Sequence, residues 1–325
     1  MDTRSQIKVG RLAFLFVTLA FGCKLISAGV RSTPVDSTVT PLASASPTIA
    51  SSPTLTQSPS PTPEPVIVFA VIGDYGTGDQ IEAEIADLVK SWRPDFIITT
   101  GDNNYPWGAE ETIDANIGQF FHEFIYPYDG DYGKGADRNR FFPTLGNHDW
   151  EENRGRPYLE YFTLPGNERY YDFTWGPVHF FALHSNPREP DGVRMDSHQA
   201  DWLRERMAAS SSPWKIVYMH HPPLASAVRG SAEWMRWPYD EWGATAVLAG
   251  HEHFYERLER NGVVYFVNGL GGDAIFKFDT EFREGSMARF NEDYGAMRVE
   301  ATSHHIKFQF FTRDRKLVDT YEIER

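Results

Sequence analysis

Two histidines flank a single glutamate in LAGHEHFYER, residues 248–257, directly after an apolar run. In an extended segment, residues i and i+2 face the same way, so His251 and His253 are expected to lean together and Glu252 away. Neutral imidazole is the commonest metal-binding side chain, and two aimed at one spot suggest a cation. The pair alone also reads as two ordinary strand histidines. Partners elsewhere in the chain must decide it.

Those partners stand at the ends of other apolar stretches. VIVFAVIGDYG ends on Asp74, DFIITTGDNNY on Asp102 and Tyr105, FFPTLGNHDW on Asn147 and His148, and PWKIVYMHHPP on His220 and His221. Each stretch is short, apolar and bounded by turn residues, the pattern of a strand buried on both faces. Between them lie stretches of helical period, such as DQIEAEIADLVKSW with Ile81, Ile85, Leu88 and Trp92 on one face, and SHQADWLRERMAA. Strands alternating with helices predict an α/β arrangement of layered sheets. Open α/β sheets bind ligands beyond their carboxyl ends. Asp after Gly and the dipeptide Gly-Asn are common turn residues on their own account. Five successive strand ends bearing oxygen or imidazole donors favour a shared metal site. His221 is expected to face away, because adjacent strand residues do.

One cation does not need Asp74, Asp102, Tyr105, Asn147, His220, His251 and His253 together. Two cations about 3.5–4 Å apart use them well, with both oxygens of one carboxylate as the bridge, for which Asp102 is the natural candidate. The Tyr105 phenol, with an ordinary pKa of about 10, needs a strongly acidic cation such as ferric iron to hold it as phenolate near neutral pH. Asn147 offers a neutral oxygen, which suits a divalent ion. The chain has one cysteine, Cys23, so it forms no intrachain disulfide and offers no thiolate cluster. Hard or borderline metals are expected.

GDYG, GDNNY, GNHD, MHHP and GHEHFYER, in this order, resemble the five ordered motifs of the metallophosphoesterases. The tyrosine three residues after Asp102 is similar to the purple acid phosphatase branch, and the likeness covers roughly residues 66–270. It implies a four-layer αββα sandwich, two mixed β-sheets flanked by helices, of the compact type without an added β-domain. It implies a ferric ion on Asp74, Tyr105 and His253, and a divalent ion (iron, zinc or manganese) on Asn147, His220 and His251. Asp102 would bridge the two. The implied reaction is hydrolysis of a small phosphate monoester, with a metal-bound hydroxide as nucleophile. His148 is the candidate general acid, or else a hydrogen-bonder behind the ligands, and Asp149 is read as its orienting acceptor. Compact members place a second active-site histidine nine residues beyond the position of His220, where this chain has Arg229. Arginine clamps phosphate bidentately but does not readily give up a proton. Activity is therefore expected to extend to higher pH than an acid phosphatase's name suggests.

The alternatives are a phosphodiesterase or nucleotide hydrolase on the same scaffold and, more remotely, a surface module without chemistry. Net charge is −14 over 325 residues, which opposes nucleic-acid phosphates. No protein partner is inferred. Residues 1–30 carry Arg4, Lys8 and Arg11 and then the apolar run LAFLFVTLAFG before Cys23. That is the form of an export signal, and the run is too short to span a bilayer. Three outcomes stay open: lipidation at Cys23, which would tether the chain to a membrane, secretion with cleavage near Ala28, or an uncleaved anchor. LAFGC departs from the usual lipobox at Ala20. Residues 31–65 are rich in Ser, Thr and Pro and read as a disordered spacer, leaving 66–325 as the catalytic domain. The stretch from Gly271 onward is expected to complete a sheet, with His304 and His305 as strand or turn residues. Trp107, Trp150, Trp234 and Trp237 are placed in loops, as pocket walls or as ordinary packing.

Overall fold

A computed structural model of the chain describes residues 64–325. The proposed export signal, Cys23 and nearly all of the spacer lie outside the described residues.

The first strand, Ile67–Ile72, is an almost wholly buried IVFAVI segment. It is buried because it has neighbours on both edges: Phe96–Thr99 pairs with it in parallel and Gly295–Ala301 antiparallel. Phe141–Pro143 extends the parallel side, and His305–Thr312 and Leu317–Glu324 extend the antiparallel side, giving six strands. The C-terminal alternation expected from sequence is this antiparallel half. The second sheet has seven strands. Its parallel centre runs through Val178–Ala182, Trp214–Tyr218, Ala246–Ala249 and Val263–Asn268, with antiparallel strands on both sides. Both sheets are therefore mixed.

The sheets meet through an aromatic layer. Phe69 stacks on Phe96 at 5.2 Å within the first sheet and meets Phe180 of the second edge-on at 5.1 Å. Phe142 and Phe173 stack across the sheets at 3.8 Å. Such rings bury large apolar areas and prefer these offset and T-shaped geometries. Helices cover the outer faces. Helix Gln80–Ser91 begins where the Asp79 carboxylate accepts the backbone N–H groups of Ile81 and Glu82, and it buries Ile85, Leu88 and Val89. Helix His198–Ala209 sets Leu203 and Met207 in a cluster with Phe181, Val217 and Val247 of the second sheet. The result is the layering of helix, sheet, sheet and helix anticipated from the motifs.

This architecture positions the site. Asp74, Asp102 with Tyr105, and Asn147 follow three parallel strands of the first sheet. His220 and the His251–His253 pair follow two parallel strands of the second. The five loops converge where the carboxyl ends of the two sheets meet.

Candidate metal centre

The donor loops are strained and tightly nested. Asp74, Asp102 and His251 have φ of 57°, 52° and 68°, a left-handed region sparsely used by residues with a Cβ. Such conformations persist where surroundings over-determine them, typically at functional sites. Here the surroundings are one another. The backbone N–H of Asp74 donates to the Gly101 carbonyl at 3.0 Å, and that of His251 donates to the Asp74 carboxylate at 2.9 Å. The left-handed turn at His251 corrects the sequence reading: residues 251–254 are a bend, not an extended segment. Both imidazoles reach the centre, but from a turn, and they serve different parts of it. Two glycines permit the nesting. A Cβ at Gly250 would lie 2.4 Å from an Asp74 carboxylate oxygen, and one at Gly146 would lie 2.0 Å from an Asp102 carboxylate oxygen.

The geometry around His220 identifies what the cluster is built to hold. Its Nδ1 is 2.9 Å from the Thr100 carbonyl, which can only accept, so Nδ1 carries the hydrogen. Its Nε2 then faces Asn147 Oδ1 at 2.9 Å, His251 Nδ1 at 3.1 Å and Asp102 Oδ2 at 3.3 Å. His253 repeats the device. Its Nδ1 donates to the Ala274 carbonyl at 2.8 Å, and its Nε2 faces Asp74 Oδ1 at 3.3 Å and the Tyr105 hydroxyl at 3.4 Å. Tyr105 in turn lies 3.2 Å from Asp102 Oδ2. Acceptors crowded this closely around one nitrogen repel unless a positive species, a proton or a metal cation, sits among them. Carbonyl-anchored imidazoles aimed inward are the usual support of metal ligands. Donor atoms of Asp74, Asp102 and His220 lie within 4.8 Å of one another, as do those of His220, His221 and His251. The residues fit a metal centre.

The electrostatics agree. Burial alone would raise the Asp102 carboxyl, but the facing His220 and His148 outweigh it and hold the group well below the usual carboxylate range. Burial likewise pulls the His220 imidazolium down, yet Asp102 and Asp74 push it up to about 9. His251 goes the other way, to about 3, through burial and the positive charge of His220, so its lone pair stays free to bind. Burial, then Asp102 and Asp74, hold the Tyr105 phenol far above its ordinary value. Among carboxylates this phenol gives up its proton only to a strongly acidic cation.

The remaining candidates divide. The His148 backbone N–H donates to Asp102 Oδ1 at 2.9 Å, and its ring Nδ1 is 2.6 Å from the Pro106 carbonyl. That leaves Nε2 turned towards the centre, 3.9 Å from Asp102 Oδ2. Asp149 does not orient His148, contrary to the sequence reading. It is buried and accepts from Gly146 N, Asn103 N and Asn103 Nδ2 at 2.8–2.9 Å, tying the Asn147 turn to the Asp102 loop. Arg229 stands at the rim. Its guanidinium is 3.8 Å from Glu252 and lies 4.8 Å over the Phe276 ring, which stacks on His253 at 4.0 Å. Its ion pair is with Glu252 and its cation–π contact with Phe276, not with any of the seven donors. His221 departs from expectation the other way: its ring lies 4.5 Å from that of His251, and its Nδ1 pairs with the Ser185 hydroxyl at 2.9 Å. The alternation rule fails because the strand ends at Tyr218, before the doublet. The His-His doublet was the visible signal; nothing in the sequence pointed to Ser185 or Asn103. Trp150 and Trp237 are buried packing residues, whereas Trp107 and Trp234 are exposed at the rim beside His148 and His221.

Two mixed sheets with acid, phenol, amide and imidazole donors at their joined carboxyl ends define a metallophosphoesterase. The family model of calcineurin-like phosphoesterases matches residues 67–255, more than half of the chain, and the chain belongs to that family. It is 25% identical over 248 residues to human tartrate-resistant acid phosphatase type 5, covering 64% of this chain and 73% of the relative. It is 28% identical over 243 residues to Arabidopsis thaliana purple acid phosphatase 15, covering 63% of this chain and 44% of that one. A purple acid phosphatase from yellow lupin seeds superposes with a TM-score of 0.66 at 18% identity, over 82% of this chain and 55% of the lupin chain. The anchor of the Plasmodium inner membrane complex superposes with a TM-score of 0.62 at 17% identity, over 80% of this chain and 89% of that one. Both superpositions establish a shared fold.

Proposed function

We propose that the chain is a dinuclear metal hydrolase of phosphate monoesters. Asp74, Tyr105 and His253 would hold a ferric ion, Asn147, His220 and His251 a divalent ion, and Asp102 would bridge them. The observation that carries this reading is the convergence of acceptors on His220 Nε2, with its opposite nitrogen tied to Thr100. Tyr105, in contact with both Asp102 and His253, supports the ferric assignment and favours the purple branch over diesterase relatives. Relatives named acid phosphatases support the monoester class.

Bound there, the cations would supply charge neutralisation for phosphoryl oxygens and an activated water. The chain supplies the rest. His148 is held by Pro106 through Nδ1, and in its doubly protonated form it would pass the Nε2 proton to the departing alkoxide and be left as the neutral ring. Arg229 at the rim adds a fixed positive charge on the approach of an anion. Residues 1–30 with Cys23 motivate a further proposal, that the chain is exported and held at the cell envelope. The test is phosphate release from p-nitrophenyl phosphate beside metal analysis. Two metals per chain are expected, with both metal and activity lost in Asp102→Asn. A metal-free chain that is fully active would overturn the proposal.

A further inference from the structure

The loop after Asp74 and the loop after Asp102 are pressed together. A Cβ at Gly76 would clash with the Asn103 carbonyl oxygen, and the Tyr105 backbone N–H donates to the Gly76 carbonyl at 2.7 Å. Asn116 joins the two loops from a third segment. It is buried, and it sits on a single π-helical turn, Asp114–Gly118. Turns of this kind are rare and concentrate at functional sites. The Asn116 amide nitrogen donates to the Gly76 carbonyl at 2.9 Å, the Asn104 side-chain oxygen at 2.9 Å and the Tyr105 carbonyl at 3.0 Å. These oxygens can only accept, which fixes the orientation of the amide. The Asn104 side chain is oriented in the same way, because its nitrogen donates to the Ala109 carbonyl at 2.7 Å. Two hydrogens of one side chain thus serve three oxygens from two donor loops. The Asn147 turn and His220 are anchored separately, by Asp149 and by the Thr100 carbonyl.

We propose that Asn116 is a positioning residue: it clamps the Asp74 and Tyr105 loops to each other and so sets the carboxylate and the phenol at the separation one cation needs. The identity of that cation, ferric iron, rests on the hydrolase reading; the clamp does not. An amide suits the task because it supplies two donors and carries no charge of its own beside the cation. Removing it leaves buried carbonyl oxygens unpaired, which favours the loops moving apart.

Two measurements on the full chain test it: hydrogen exchange at the Tyr105 amide after a chelator has stripped the metal, and ferric affinity by competition with that chelator. Asn116→Ala should speed the exchange about fivefold to tenfold. It should weaken ferric binding about tenfold to a hundredfold. Asn116→Asp, which keeps the volume but not the two amide hydrogens, should lose at least as much. In a Tyr105→Phe background the ferric loss from Asn116→Ala should shrink by at least about threefold, because one of the two clamped ligands is gone. Equal losses in both backgrounds overturn the proposal, as does unaltered exchange or affinity in either Asn116 variant. Protection in the strand Ile67–Ile72 should hold, and its loss would assign the effect to the fold and overturn the proposal too. A wild type that binds no ferric ion would sink the ferric reading alone, and the same comparisons are then made with zinc. A wild type that binds neither ion overturns both readings.

Discussion

Substituting Gly146 by alanine puts a methyl group where the Asp102 loop already stands. The new Cβ would lie 2.0 Å from Asp102 Oδ1, 2.2 Å from Asp102 N and 2.7 Å from Asp102 Cγ. Real Cβ contacts fall no closer than 3.0 Å, so relief requires a retreat of 1.0 Å, the difference between 3.0 and 2.0 Å. A rotamer change cannot supply it, because a backbone nitrogen is among the clashing atoms. The retreat pulls on the carboxylate assigned to both cations and on its bond from the His148 N–H. A misplacement of about 1 Å costs about a hundredfold in rate, or about 2.7 kcal/mol of barrier. Overpacking costs about 1–3 kcal/mol of fold stability as well. Gly262→Ala separates the two effects. That glycine has φ +78° with nothing within 4 Å of an added Cβ, so it carries left-handed strain, about 1–2 kcal/mol, far from any steric conflict. Metal per chain, kcat/KM for p-nitrophenyl phosphate and melting temperature should be measured on both. Both variants should melt lower, and Gly146→Ala alone should lose metal and about a hundredfold in kcat/KM. Full metal occupancy with near-normal kcat/KM in Gly146→Ala would refute the idea that loop nesting places Asp102.

Other expectations follow from the same geometry. His148→Ala should lower kcat about 10²–10⁴-fold with poor leaving groups and much less with p-nitrophenolate, which needs no proton; an equal loss with both would remove the general-acid role. Tyr105→Phe should bleach any tyrosinate-to-iron absorption of the purified protein while leaving its far-ultraviolet circular dichroism unchanged, and persistent colour would reassign the chromophore. Asp149→Asn should loosen metal binding about tenfold to a hundredfold through the Gly146 turn, and an unchanged metal affinity would contradict that tie. Glu82 is buried away from the centre, and burial outweighs the Gly78 and Thr77 amides to hold its carboxyl well above 4.5. The folded state therefore binds this proton more tightly than the unfolded chain. Its contribution is complete below the unfolded value and is lost as pH rises towards the folded one, by at most about 1.4 kcal/mol per pH unit. Glu82→Gln should flatten the decline of stability above about pH 5 in urea titrations, and an unchanged slope would show that other groups set it.

Much of the site was legible because its physical signals are local. Apolar strands ending in Gly-Asp or Gly-Asn announce both the strand and the turn that exposes the next side chain, and their order along the chain matched one family. The failures share a cause. His251 and His253 were read as strand neighbours, His221 as outward-facing and Asp149 as the partner of His148, all on sequence spacing alone. In each case the strand had already ended, so direction was set by contacts with loops from far along the chain. Asp149 is nearer in sequence to His148 than to Asn103, yet it is Asn103 that it bonds.

The sequence by itself determined which donors exist, that they sit at strand ends, and that thiolates take no part, because residue type and period act locally. The tertiary structure decided that three donor loops come from one sheet and two from the other, so that the centre lies at their seam. It alone brought His221 to the donors and kept Arg229 at the rim. Left-handed backbone at Asp74, Asp102 and His251 is held only by loops packed against one another, and no stretch of chain carries that constraint until all five are in place.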